Sequence, residues 1–442
     1  MIKRLVVIVI TIFSCQSYAQ QGTASPYSFY GIGSLKFKGT VENRAMGGIS
    51  TYLDSLHINL RNPAAYAGKN LDQQPFNGES RPVKFAVAGT FTSLELESNQ
   101  GSEQANTSTF DYIALTMPVG RKFGVGFGLL PFTSVGYKLE SLNDDEELQN
   151  RYRGEGGLNK VFVGMGYQIS DALSLGIDLN YNFGNVQNSA IAFSYDGDGN
   201  PTQYQTRQDN RSDLSGLNFN LGLAYKKKIS EKLMLSATTT FSPESRLSSE
   251  NQRSFSTIIY NDSTEEEFVQ ETQDADLESE GLKNTDLTLP SRFSLGFGVG
   301  QETKWFVGAE YVLQKTGDYD NPIFSTQNSS FEDSPSFAVG GFYIPDYNSF
   351  SNYFKRVVYR GGFNFGKSGL IINNESINEF GMSFGLGLPL GGGTGGGVSE
   401  LNIGFEYGQR GTTNQNLIKE NFINLNISLS LNDRWFAKRK YN

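Results

Sequence analysis

The sequence predicts an all-β fold: a 14-stranded antiparallel transmembrane β-barrel with an N-terminal hatch or plug segment. Three observations predict it. Apolar and polar residues alternate with a period of two: Ile423, Leu425, Ile427, Leu429 and Leu431 lie between Asn424, Asn426, Ser428, Ser430 and Asn432. Tight turns alternate with much longer loops, as in barrels whose short turns lie inside the cell envelope and whose long loops lie outside. After the first residues, no stretch approaches the ~20 apolar residues of a transmembrane helix.

The chain opens with Lys3 and Arg4, an apolar run over 5–13, and Ser17-Tyr18-Ala19, the three regions of a secretory signal peptide; cleavage is expected after Ala19. Phe13-Ser14-Cys15 offers an alternative, a lipoprotein leader ending at Cys15. Residues 20–82 are rich in Gly, Pro and Asn, hold no sustained period of two, and are read as the hatch. The barrel occupies 83–442. Its expected strands cover 83–97, 108–119, 123–139, 158–169, 173–195, 204–227, 233–259, 287–300, 305–315, 336–343, 356–365, 380–390, 401–409 and 422–435. Between them, residues 120–122, 170–172, 230–232 and 301–304 read as tight turns. The segments 140–157, 196–203, 260–286 and 316–335 read as long loops. Parity sends Leu173, Leu175, Ile177, Leu179 and Tyr181 to lipid and Ser174, Gly176, Asp178, Asn180 and Asn182 to the lumen, where the many glycines leave room for a plug or ligand.

The formal charge is −9, from 37 basic and 46 acidic residues; loss of Lys3 and Arg4 with the leader makes it −11. Most of that charge lies in the acidic segment 261–286, so the chain is no basic nucleic-acid binder. The single cysteine falls in the leader, leaving no disulfide and no thiol nucleophile in the mature chain.

Several segments together resemble the FadL family of outer-membrane transport proteins, in particular a Bacteroidetes branch that includes the type 9 secretion shuttle PorV. They are Ser25-Pro26-Tyr27-Ser28-Phe29-Tyr30-Gly31-Ile32-Gly33, Arg44-Ala45-Met46-Gly47-Gly48, Asn62-Pro63-Ala64, Leu130-Pro131-Phe132, Leu289-Pro290-Ser291-Arg292-Phe293, Tyr359-Arg360-Gly361-Gly362-Phe363 and Gly385-Leu386-Gly387-Leu388-Pro389-Leu390. The resemblance implies an outer-membrane location, 14 strands and a hatch that enters the barrel near Asn62-Pro63-Ala64. It also implies that a kink near Gly128, Leu130, Pro131 and Phe132 opens the wall toward lipid. No fatty-acid-binding side chain matches residue by residue, and the acidic loop is not a family signature.

Each motif also has a plainer reading. A proline within a strand removes one ladder hydrogen bond, so Pro131 marks either a lateral opening or a simple bulge. Asn62 either holds the hatch by an Asx-type hydrogen bond or caps an ordinary turn. Asp178, Glu310, Arg360 and Glu406 face the lumen by parity, as a structural network or a polar track. The acidic run either stays a solvated loop or binds divalent cations and bridges lipopolysaccharide through them. Asp196-Gly197-Asp198-Gly199-Asn200 fails the calcium-loop pattern, because Pro201 stands where glycine is needed and Arg207 where glutamate is needed. The glycine run 391–397 lacks the Lys-Ser or Lys-Thr of a phosphate cradle. His57 is the one histidine and has no sequence-adjacent catalytic partner, so no catalytic residue, cofactor or metal site is expected. The expected partners are outer-membrane lipid and lipopolysaccharide. Transport of a small hydrophobic ligand is the first expected role; an adaptor barrel contacting secretion-system proteins is the second.

Overall fold

The structure, a computed structural model, describes residues 22–54, 56–67, 82–120, 122–143, 147–261, 264, 266–319, 321–323, 328–390 and 399–433. The leader, the glycine run 391–397 and the end of the last expected strand lie outside them. Among the described residues no helix is long and apolar enough to cross a membrane.

A short strand, β1 (Ser34–Leu35), precedes the wall. The wall begins with β2 (Val83–Ser98), β3 (Gly101–Val119), β4 (Phe123–Pro131) continued by β5 (Thr133–Leu142), β6 (Leu148–Gln168), β7 (Leu173–Ala192) and β8 (Gln205–Lys228). There follow β9 (Met234–Ser242) continued by β10 (Ser245–Asn261), the loop strand β11 (Glu266–Asp274), and β12 (Asn284–Leu289) continued by β13 (Arg292–Gln301). Next come β14 (Trp305–Gln314), the loop strand β15 (Ser329–Phe331), β16 (Ser334–Tyr343), β17 (Val358–Ile372), β18 (Glu375–Leu390), β19 (Ser399–Gly411) and β20 (Lys419–Asp433). Each continued pair counts as one crossing, and β2 pairs with β20 from Val83↔Asp433 to Glu97↔Lys419, which closes an antiparallel barrel of 14 strands.

The two-residue period sets the faces. Leu179 is 54% exposed and Ile423 55%, on the outside, whereas Asp178, Asn180, Asn182, Asn424 and Asn426 are buried. At the long-loop end the structure departs from the sequence reading. The segment 140–157 is not a long loop, because β5 and β6 extend to Leu142 and Leu148. The second strand starts at Gly101, seven residues before its expected start, and joins β2 by a tight turn. Much of the acidic segment continues the ladder as a β10–β11 hairpin from Ser254↔Asp274 to Asn261↔Glu266. There Glu267 takes hydrogen bonds from Arg153 at 2.6 Å and Arg207 at 2.9 Å. Backbone pairing offsets the cost of crowding these acids, and two arginines from neighbouring strands compensate Glu267.

The described part of the N-terminal segment runs inside the wall. It starts at the long-loop end, where Tyr27 donates to the carbonyl of Ile418, and passes through the short helix α1 (Val41–Arg44). It reaches a 3-10 turn at Pro63–Tyr66, near the short-turn end, where Asn62 Nδ2 donates to the carbonyl of Leu223 at 3.0 Å. Wall glycines make this approach possible. A Cβ at Gly176 would strike the Pro63–Ala64 backbone, and one at Gly362 would strike Met46 and Gly47.

Candidate functional site

Three features inside the barrel carry chemistry: a break in the wall, an aromatic cavity at the long-loop end, and the ion pairs that hold the N-terminal segment.

The break lies where the sequence singled out Gly128, Leu130, Pro131 and Phe132. The β3–β4 ladder ends at Ile113↔Leu129. Pro131 still faces Asn159 of β6, Phe132 N donates to the Leu158 carbonyl at 2.7 Å, and β5 then pairs with β6 from Val135↔Gly156. On its other edge β5 meets β1, through Ser34↔Ser134 and Leu35↔Thr133, rather than β3. Among the described residues, the outer part of β3 therefore has a ladder partner only in β2. A proline lacks the amide donor that would continue the ladder, which accounts for the bend at this point. Gly128 admits the close approach of Phe162 and the Ile113 carbonyl, where a Cβ would collide. Leu130 is buried with Tyr112 and Phe162, and the Phe132 ring lies 4.3 Å from Lys160 Nζ.

The cavity, of about 320 Å³, is lined by the rings of Phe29, Tyr30, Tyr137, Tyr152, Tyr319 and Phe331, with Asn188 and Asn210 among its polar groups. Phe29 packs edge-on against Tyr137 and Tyr152 at 5.2 and 6.0 Å between ring centres. The apolar lining continues below: Ile32, Val135, Leu158, Val186 and Leu214 form one buried cluster with Phe29, Tyr137 and Phe132. Rings at the mouth are thus joined by buried apolar side chains to the residue at the break.

Of the lumenal charges expected by parity, three take part in ion pairs that hold the N-terminal segment. Glu310 accepts from Ser50 N at 2.7 Å and pairs with Arg61. Glu406 pairs with Arg44 at 3.0 Å, and Arg44 also reaches Asp111 at 3.3 Å. Arg360 pairs with Glu400 at 2.7 Å, and Glu400 takes His57 Nε2 at 3.1 Å. The fourth, Asp178, faces Tyr66 and Asn220. His57 Nδ1 meets Asp54 at 2.6 Å. Burial alone would lower the His57 pKa, but the carboxylates of Asp54 and Glu400 outweigh it and raise the imidazole to about 10. Burial would raise Asp54, yet His57 and Lys84 hold it below the usual carboxylate range. Asn62 caps its turn by accepting from Ala64 N at 3.0 Å, with Pro63 at the first position of the turn. A second cavity, of about 500 Å³, opens at the short-turn end beside Tyr52, His57, Lys226 and Arg360. Among the described residues no group of three or more His, Cys, Asp or Glu side chains is placed to hold a metal ion.

The sequence reading missed Arg44, Arg61 and Glu400. Glu400 was accessible to it, because it alternates with lipid-facing Leu401; the two arginines sit where no periodicity assigns a face. Of the aromatic lining, Phe29 and Tyr30 fell within a segment singled out in the sequence; Tyr137, Tyr152, Tyr319 and Phe331 did not.

Solved structures with the same fold cover nearly the whole chain. The CymD monoaromatic hydrocarbon channel matches with a TM-score of 0.55 and 14% identity, over 90% of this chain and 98% of that one. A Pseudomonas aeruginosa FadL homologue matches with a TM-score of 0.55 and 12% identity, over 90% and 99%. The P. putida toluene transporter TodX matches with a TM-score of 0.55 and 14% identity, over 92% and 100%. No curated protein matches the chain in sequence. The barrel is therefore of the FadL type, and with the BamG family model matching residues 1–442, the chain belongs to the BamG family.

Proposed function

We propose that the protein is an outer-membrane channel for small hydrophobic molecules, which enter at the aromatic cavity and leave through the break beside Pro131 and Phe132. The observation that carries this reading is the continuous contact of apolar side chains from Phe29, Tyr137 and Tyr152 at the cavity to Phe132 at the break. An apolar solute among these side chains gains roughly 0.8 kcal/mol for each CH₂ it buries. Solved barrels of the same fold described as toluene transporters and a monoaromatic hydrocarbon channel lend support. Ile32 and Phe29 fill part of the route, so passage requires the N-terminal segment to shift near Ser34. The test is saturable binding of toluene to the purified full-length protein. Tyr137→Ala with Tyr152→Ala should weaken it by about tenfold, equivalent to ~1.4 kcal/mol. Toluene binding that never saturates, or that survives both substitutions unchanged, would remove the entry site.

A second reading is favoured by one observation. The segment between Arg44 and Arg61 is tied to two wall strands, to β14 through Glu310 and to β19 through Glu400 and Glu406, which suits a barrel that stays closed and acts through its outer surfaces as an accessory subunit of a larger outer-membrane assembly. Gentle-detergent purification followed by mass spectrometry separates the two: a stoichiometric protein partner with no apolar molecule retained favours the subunit.

A further inference from the structure

Behind the same break, on its β3 side, lies a chamber of a different character. It holds about 90 Å³ and is lined by Lys36, Lys38, Arg44, Asp111, Arg410 and Glu420, together with threonines of β2 and β3. At ~30 Å³ per water it has room for about three waters, or for one compact anionic group, and not for a hydrocarbon chain.

Its charges are unevenly satisfied. Lys38 pairs with Glu379, Arg44 with Asp111 and Glu406, and Arg410 with Glu379 at 2.6 Å and with Glu420 at 3.5 Å. Lys36 differs from all of them. Its backbone amide donates to the Phe132 carbonyl at 3.0 Å, while its ammonium has no hydrogen bond or ion pair among the described residues. Burial pushes that ammonium down to about 8, a loss that the nearby Asp111 only partly offsets. The Lys36 side chain is half-buried, and a partly covered cation with no counter-charge from the described residues favours an anion as its partner.

The position of the chamber suggests what does. Lys36 directly follows β1, whose Leu35 is 41% exposed at the break. The lipid-facing rings at this level, Phe91 at 45% and Phe110 at 40%, lie on β2 and β3 where the wall loses its ladder. Above them, β2 ends in Glu95, Glu97 and Ser98, so the opening lies near the upper edge of the apolar band, where headgroups meet hydrocarbon.

We infer that Lys36 and this chamber bind the phosphate of a membrane lipid, whose headgroup enters through the break while its acyl chains stay in the bilayer. The inference does not rest on the channel reading, since a closed accessory barrel would hold such a lipid equally well. Lysine suits it, because the ammonium is a compact charge with three donors for a tetrahedral anion.

The test uses the full-length protein in a neutral detergent, titrated separately with phosphatidic acid, lipid A, diacylglycerol and inorganic phosphate, with bound species counted by native mass spectrometry. Phosphatidic acid or lipid A should be retained one per chain, diacylglycerol should not, and Lys36→Gln should reduce retention by about tenfold while Lys36→Arg keeps most of it. Preference between the two lipids identifies the source. Lys36-dependent binding of inorganic phosphate without either lipid would overturn the lipid assignment, as would equal retention of diacylglycerol or an unchanged Lys36→Gln. Heat-dependent gel mobility reports whether each variant is folded. If Lys36→Gln does not fold, acylation of Lys36 in the wild-type chain decides: phosphatidic acid should protect it, and absence of protection overturns the site.

Discussion

Glu310 shows how much one residue contributes when its charge is buried on both sides of a contact. It receives Ser50 through both backbone and side chain and pairs with Arg61, all from the N-terminal segment. Glu310→Gln leaves Arg61 covered without its counter-charge, and breaking such a pair costs about 3–5 kcal/mol. The expected outcome is a barrel that still closes but whose Arg61 becomes a trypsin site, read by limited proteolysis and peptide mapping. His57 gives a dependence on pH whose sign follows from its partners. Its pKa is raised from about 6.5 to about 10, so its contribution is complete below ~6.5 and is lost as the pH climbs through about 10. Asp54 is depressed, so its contribution is present above the ordinary carboxylate pKa of ~4 and is lost on acidification. The segment should therefore be held most firmly between about pH 4 and about pH 6.5. The gel-mobility transition of wild type should exceed that of His57→Gln at about pH 6 and converge with it above about pH 10.

At the scale of the element, the two faces of one strand make opposite demands. On β17, Gly362 touches the backbone of Met46 and Gly47, whereas a Cβ on its neighbour Gly361 would meet nothing nearer than 3.8 Å. Gly362→Ala should cost about 1–3 kcal/mol through overpacking and loosen the N-terminal segment, and Gly361→Ala should leave thermal unfolding nearly unchanged. Strand faces were legible from the sequence because lipid on one side and a crowded lumen on the other enforce the period of two. The extent of the strands was less so. In the acidic segment Phe268 and Val269 are both exposed, so β11 has no apolar face to announce it, and its pairing comes from the hairpin register with β10. The bend at Pro131 could be read because proline restricts the backbone wherever it stands. The pairing of β5 with β1 could not, because two residues carry no period.

For the whole molecule, closure and strand number follow from local pattern repeated along the chain, whereas the contents of the lumen follow from contacts between distant positions. Parity put Glu310 and Glu406 inside, but their partners Arg61 and Arg44 lie 249 and 362 residues away, in a segment without periodicity. The aromatic cavity is likewise assembled from the N-terminal segment, four neighbouring strands and the loop that carries Tyr319 and Phe331. A barrel of this kind couples a rigid wall to an inserted segment, and the central claim is that the segment near Ser34 must leave β5 before an apolar molecule can reach the break. Ser34 and Ser134 are ladder partners, at a spacing suited to a cross-strand disulfide, and the single native cysteine, Cys15, falls in the expected leader. The decisive measurement is entry of toluene into liposomes carrying Ser34→Cys/Ser134→Cys protein, oxidised and then reduced. The channel account expects entry to stop in the oxidised state and return on reduction to the wild-type rate; equal entry in both states, or none above protein-free liposomes in the wild type, would contradict it.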